Sequence, residues 1–281
     1  MFWVLSVISI AITGLVIAEQ PLYDYLPQSL VELFPPLDLT PGAIGLYLGI
    51  GIVISITPVH RFVHYSATVV HELGHAFLSG LLGARPKNIQ IHPSGAGVAL
   101  YQAPALWARW RKATVTAAGY PAPAIAGLAG IIAAQSGLGA LWVLFTAAVL
   151  LLSVILIIRN FWGFFWSSCV VGVAYAGVTQ LPEQQMALIG VAMSGFLLTE
   201  SMRDAREQVQ IVRLIDGSGA DAEQIGRWYG ISTTTVARIH LLLVVAIAGY
   251  AIWLGGISEW EAVRAEATTS WNDLVDLVRD L

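Results

Sequence analysis

His71, Glu72 and His75 stand at the spacing of an HExxH sequence, which here is His71-Glu72-Leu73-Gly74-His75. On a helix, residues four apart lie on one face, so the two imidazoles can bind one Zn²⁺ at about 2.0–2.1 Å. Glu72 lies beside them and can take a proton from a water that the metal activates. The pattern arises by chance in roughly one chain in a hundred of this length, so its surroundings must be weighed too.

The residues on both sides of this motif are those of a membrane segment. Val69-Val70 precede it and Ala76-Phe77-Leu78 follow it. An ionisable side chain inside a bilayer costs at least about 2.5–3.5 kcal/mol on insertion scales, and such residues are functional by default. A bound zinc ion offsets this cost, whereas a chance occurrence leaves it uncompensated. The setting therefore favours a metal site.

The composition predicts an all-α polytopic membrane protein whose surroundings are the lipid bilayer. Of 281 residues, 57% are hydrophobic and only 11% are charged, against about 25% in a soluble domain. The mean hydropathy is +0.72. The net charge of −4 gives no basic field for nucleic acid, so we expect no nucleic-acid partner. The single cysteine, Cys169, excludes a disulfide within the chain and a cysteine-rich metal site.

Apolar segments near the length of roughly 17–25 residues that a membrane helix needs recur along the chain. They predict about six to eight membrane segments in one domain, residues 1–281. The candidates are Met1–Ala18, Ala43–Val59, Val63–Leu82, Ala113–Ala134, Leu138–Ile158, Phe161–Val178, Met186–Thr199 and Val236–Leu254. We interpret Met1–Ala18 as a first membrane helix, because no basic residue precedes it as in a signal peptide.

The more polar stretches between these segments are expected outside the bilayer. They are residues 19–40, 83–112 and 200–238, together with an acidic tail at 258–281. Residues 83–112 and 200–238 carry most of the Lys and Arg residues. Basic loops favour the cytoplasmic side, so we expect both there.

Residues 87–101 have the pattern of a β-hairpin that follows the motif helix. Asn88–His92 alternates polar and apolar side chains, Pro93–Gly97 has turn chemistry, and Val98–Tyr101 can return as a second strand. An exposed strand edge could hold an extended substrate by strand addition. The hairpin could equally fill the opening beside the motif helix, and the sequence leaves both roles open.

Together these features resemble the site-2 protease family of intramembrane zinc metalloproteases, in particular its bacterial site-2-protease-like branch. The resemblance covers the chain from His71 to Trp253. It is carried by the HExxH motif, Gly95-Ala96-Gly97, Ala118-Gly119-Tyr120-Pro121-Ala122 and Arg159-Asn160. It implies a core of three membrane helices, a zinc ion completed by an aspartate, and cleavage of transmembrane protein substrates. A bacterial cytoplasmic membrane is the expected location.

The third zinc ligand is the least defined part of the site, because a catalytic zinc needs three protein ligands and a water. The better-known family members use a Leu-Asp-Gly motif with an upstream Asn-x-x-Pro, which this chain lacks. Asp216 lies in a loose match to the first motif, and Asp221 lies in a segment similar to the narrower branch. We favour Asp221. His240 is a further candidate, and Asp221 with Gln224 could alternatively cap a helix.

Three more polar residues carry predictions. Asn160 is expected to hydrogen-bond the substrate or the oxyanion, or else to cap the helix that follows it. His60 and His64 precede the motif on the same helical face. They either relay protons or orient the metal ligands, or they lie at the membrane interface.

Other functions were weighed against a protease. A non-catalytic zinc-binding scaffold has no need for a buried base such as Glu72. A metal or proton transporter would carry acidic or histidine residues on several membrane helices, and residues 113–178 contain none. Residues 221–239 resemble a DNA-binding helix-turn-helix, but the second helix continues into an apolar segment at 241–245 and so cannot lie in a DNA groove.

Overall fold

The computed structural model describes residue 28 and residues 36–215, 220–256 and 260–279. The predicted first membrane helix, Met1–Ala18, and the alternative ligand Asp216 lie outside these residues. The elements are α1 (Pro41–Ile56), α2 (His60–Leu81), β1 (Arg85–Ile91), β2 (Gly97–Gln102), α3 (Arg109–Ala117), α4 (Pro121–Gln135), α5 (Gly139–Leu156), α6 (Phe161–Gln180), α7 (Glu183–Leu214), α8 (Asp221–Tyr229), α9 (Thr233–Gly255) and α10 (Trp260–Arg279). The predicted fold, helical with one small β-hairpin after the HExxH helix, is confirmed.

The helices identify a multi-pass membrane protein. Among the described residues, α5, α6, α7 and α9 are each long and apolar enough to cross a bilayer. Two bent pairs, α1 with α2 and α3 with α4, bring the number of candidate spans to six if each pair is one span. Large apolar side chains on α5 and α6, such as Phe145 and Val173, are exposed, as expected for helices that face lipid.

Both bends lie at prolines. Thr57 precedes Pro58 and is extended, because a residue before proline is disfavoured in the helical region; α1 therefore ends, and α2 begins at an angle of 106°. Pro121 has no N–H to bond the carbonyl of Ala117, where α3 ends, and α4 begins at 58°. The second break leaves Gly119 and Tyr120 between two helices, against α2.

The largest core lies between α1, α4, α7 and α9, with α7 at its centre. Ile44, Leu128, Val191 and Ala248 contribute to it, one from each helix. The 32 residues of α7 extend well beyond the predicted span Met186–Thr199. Residues 200–214, predicted to be an extramembrane loop, are thus a continuation of the helix.

Polar contacts with the protein allow α7 to continue. Glu200 is buried and pairs with Arg203 at 2.7 Å. Arg203 also donates to the carbonyl of Ser55 in the last turn of α1. Glu200 and Arg203 are therefore held by the bundle, whereas the other arginines of this segment, Arg206 and Arg213, are exposed on α7.

The hairpin lies on α2 with its turn fixed to that helix. β1 and β2 pair antiparallel, with Ile89 opposite Ala99. The Tyr65 hydroxyl donates to the Pro93 carbonyl at 2.6 Å, and the Thr68 hydroxyl donates to the Gly95 carbonyl at 3.0 Å. These bonds hold the start of β2 close to the middle of α2.

Candidate metal centre

Three donor atoms from two distant parts of the chain meet beside α2. His71 and His75 lie one helical turn apart on α2, and Asp221 is the first residue of α8. The two histidine Nε2 atoms are 3.1 Å apart. Oδ2 of Asp221 lies 3.5 Å from Nε2 of His71 and 3.3 Å from Nε2 of His75. Within the described part of the chain, this is the one group of three His, Cys, Asp or Glu residues with such geometry.

These distances fit a tetrahedral zinc site. With ligand bonds of about 2.0–2.1 Å, two ligands of a tetrahedral ion are about 3.3 Å apart. The three observed separations of 3.1, 3.3 and 3.5 Å are close to that value. Two imidazoles and one carboxylate are also a ligand set typical of catalytic zinc, which leaves a fourth position for water.

Gly119 leaves the space that an ion needs. A Cβ atom at this position would lie 2.3 Å from Nε2 of His71 and 2.5 Å from Nε2 of His75. No side chain can occupy that position without moving one of the two imidazoles. The helix break before Pro121 thus brings a residue without a side chain up to the donor atoms.

Replacing Gly119 with alanine should weaken zinc binding by about 10- to 100-fold, the range found when groups that support a metal site are lost. The added methyl group would displace the two imidazoles from their positions. The affinity can be measured by competition with a chromogenic zinc chelator. Gly249→Ala in α9 is the matched control, because a Cβ there meets no atom within 4 Å. Equal affinities for the two variants would contradict this role of Gly119.

His75 is oriented by a bond outside the donor set. Its Nδ1 lies 2.7 Å from the carbonyl oxygen of Val115, which can only accept. Nδ1 therefore carries the proton, and Nε2 keeps its lone pair for a metal, as is usual for metal-binding histidines.

Asp221 is held as a carboxylate. Burial alone would raise its pKa, but the adjacent imidazoles of His71 and His75 together hold the pKa of this carboxyl well below its ordinary value. The residue is not a helix cap: Ala220 occupies the N-cap position of α8 and makes no side-chain cap bond, so that alternative was wrong. Asp221 instead points its Oδ2 at the two imidazoles.

A small apolar cluster fixes α8 and therefore Asp221. Ala222 and Ile225 of α8 pack against Val209 of α7 and against Val236 and Ala237 of α9. The position of the carboxylate thus depends on helix packing rather than on the loop before it.

A cleft of about 520 Å³ borders His71, one of the three donor residues. Glu72, Gly97 and Tyr120 also line it, and polar residues of α7 line one wall. Those residues are Glu200, Arg203, Asp204, Glu207 and Gln208, which share one helical face because they recur every three or four positions. The cleft gives water a polar path to His71 and Glu72.

A family model described as peptidase M50B-like matches residues 44–255. This chain belongs to the peptidase M50B-like family. The matched range holds the HExxH helix, the hairpin and Asp221, and it confirms the resemblance to site-2 proteases. No curated protein and no solved structure matches the chain.

The Glu72 side chain of this M50B-like peptidase projects from α2 to the first residue of β2. This side chain is buried, with 5% of the residue exposed, yet it borders the cleft. A Cβ atom on Gly97 would lie 2.5 Å from the Glu72 Oε1 atom. The first glycine of β2 therefore gives the carboxylate its place beside the two histidines.

Asn160 anchors the hairpin. Its Oδ1 accepts from the Ile91 N–H at 3.0 Å, and its Nδ2 donates to the Ile91 carbonyl at 2.6 Å. The residue is at the N-cap position of α6, but its side chain makes no cap bond. The predicted contact of Asn160 with substrate stays a prediction, and in this structure both amide atoms are occupied by β1.

The other histidines lie outside the donor set. His240 hydrogen-bonds through Nδ1 to Oε1 of Gln208 at 3.1 Å. Nδ1 of His60 and of His64 lies within hydrogen-bond distance of a main-chain carbonyl, and both side chains line the cleft. Gly119 and the polar face of α7 were not predicted from the sequence as parts of the site. Gly119-Tyr120 was visible within a family-like segment, but its role depends on the bend at Pro121.

Proposed function

We propose that this M50B-like peptidase is a zinc metalloendopeptidase that cleaves membrane-embedded or membrane-adjacent protein segments in a bacterial cytoplasmic membrane. The observation that carries this proposal is the triangle of His71, His75 and Asp221 donors, with edges that suit tetrahedral zinc. Glu72 follows His71 on α2 and lines a polar cleft together with it. A transmembrane protein is the expected substrate.

Zinc and Glu72 would have separate roles in the reaction. When bound, zinc lowers the pKa of a water and polarises the carbonyl of the scissile peptide bond. Glu72 accepts a proton from the attacking water as the new C–O bond forms and the carbonyl electrons move to oxygen. It then donates that proton to the amide nitrogen as the C–N bond breaks. The buried position of Glu72 keeps bulk water from competing for this proton.

The substrate must be extended at the cleavage point, because a helix hides its amide bonds. One edge of the hairpin is already occupied: the Ile89 N–H donates to Ile157 at 2.7 Å, and the Ile89 carbonyl accepts from Arg159 at 3.1 Å. The main-chain groups of Ile89 thus point away from β2. Its partner Ala99 is therefore in a non-hydrogen-bonded pair, and the Ala99 N–H and carbonyl point away from β1.

The edge of β2 that points away from β1 is the better place for a substrate strand. Gly97, two residues before Ala99, presents its main chain on the same side, and both residues contact Glu72. A segment added along this edge would lie next to Glu72. We therefore propose both roles for the hairpin: its turn is bonded to α2, and the outer edge of β2 is not paired with β1.

Ala99→Pro should test this binding mode, since it puts a ring on the outer edge of β2 and spares the bonds between β1 and β2; it also removes the Ala99 N–H, which bonds to Glu72. Proline is tolerated at a strand edge of this kind. We expect kcat/KM for a labelled single-span peptide to fall by at least about 10-fold through a higher KM, because the ring blocks close approach of the substrate strand; loss of the bond to Glu72 acts on kcat instead. Zinc content should not change.

Ala99→Ser is the matched control, because it keeps the N–H and nearly the same size. It should cleave the peptide at the wild-type rate. Wild-type kcat/KM in the proline variant would show that substrate does not pair with β2.

A further inference from the structure

Three rings in contact, those of His71, Tyr120 and His240, lead from the metal centre toward α7. The Tyr120 ring meets the His71 ring edge to face, with centroids 4.8 Å apart. On its other side Tyr120 stacks on His240, with centroids 5.5 Å apart and planes at 22°. The phenol is therefore held between a ligand of the metal centre and a second imidazole.

The Tyr120 side chain lies next to the reaction region. Its ring contacts the ring of the metal ligand His71, and Tyr120 lines the cleft together with Glu72. Within the described part of the chain, the Tyr120 hydroxyl forms no hydrogen bond. Its proton is thus available to an acceptor that enters the cleft.

His240 and Gln208 form a buried pair behind the phenol. His240 is 4% exposed and Gln208 is 1% exposed. Nδ1 of His240 lies 3.1 Å from Oε1 of Gln208. Nε2 of Gln208 is buried without a partner among the described residues, and Gln208 borders the cleft. An apolar side chain of similar shape would avoid an unpaired donor, so the amide has a use that packing does not explain.

We propose that the Tyr120 hydroxyl donates a hydrogen bond to the substrate carbonyl oxygen as this oxygen gains negative charge, and that His240 and Gln208 position the phenol. The proton stays on Tyr120, so the phenol needs no base. The donor is fixed by its two ring contacts before substrate binds, which is the condition for strong stabilisation of a developing charge. This role rests on the proposed peptidase function.

Tyr120→Phe tests the donor directly, because it keeps the ring and its contacts with His71 and His240. We expect kcat for a labelled single-span peptide to fall about 100-fold, with KM and zinc content unchanged. A kcat within twofold of wild type would overturn the proposal while the peptidase function stands. If wild type cleaves no faster than Glu72→Gln, the peptidase function itself fails.

His240→Phe tests the positioning role, since it keeps a ring for stacking but loses the bond to Gln208. It should lower kcat in the otherwise wild-type protein and have no further effect in the Tyr120→Phe background. A full additional loss in that background would show that His240 acts independently of Tyr120. That result would overturn the positioning role assigned to His240 and Gln208.

Discussion

Glu72→Gln should abolish cleavage while zinc remains bound. The glutamine amide has nearly the shape of the carboxylate but cannot take a proton from water, and loss of a general base typically lowers kcat by roughly 10²–10⁴-fold. Glu72 is not one of the three donors, so the metal site should be intact. The measurement pairs kcat on a labelled single-span peptide with zinc content by atomic absorption.

Glu183→Gln at the exposed start of α7 is the control for this change from carboxyl to amide. It should match wild type in both readouts. Cleavage by Glu72→Gln at the wild-type rate would mean that another group is the base. Zinc binding without any cleavage by wild type would instead favour a non-catalytic zinc scaffold.

Asp221→Ala should lose zinc, which is the second large effect that we expect. The substitution leaves two imidazoles where a catalytic site needs three protein ligands. Loss of groups that only support a metal site weakens affinity by about 10- to 100-fold, so loss of a ligand should exceed 100-fold. Competition with a chromogenic chelator measures the affinity, and cleavage should disappear in parallel.

Asp216→Ala is the control for Asp221→Ala, because it removes a carboxylate from the same short stretch of chain. It should retain wild-type zinc affinity. The opposite pattern, with zinc lost only from Asp216→Ala, would identify Asp216 as the ligand. Retention of zinc by both variants would move the search to His240, whose ring lies on the other side of Tyr120 from His71.

Local spacing predicted the parts of the site that lie within one element. The separation of four residues between His71 and His75 fixes both imidazoles on one face of α2, whatever the rest of the fold. The hairpin was predictable for the same reason, since alternation around a turn at Pro93–Gly97 is a local pattern.

Contacts between distant elements could not be predicted from spacing. Asp221 reaches the histidines only because α8 packs on α7 and α9, and the sequence alone was equally consistent with a helix cap. In the sequence, nothing distinguishes Gly119 from other glycines of membrane segments. In the structure, the bend at Pro121 places it against His71 and His75. The charges of residues 200–214 suggested a loop, and the contact of Arg203 with Ser55 on another helix could not be seen in the sequence.

X-ray absorption at the zinc edge, on the wild-type protein purified in detergent, tests the metal centre most directly. We predict one zinc ion per chain with nitrogen and oxygen donors alone, two of them imidazoles. A sulfur donor from Cys169, a third imidazole, or no zinc under metal-replete conditions would contradict a centre built from His71, His75 and Asp221.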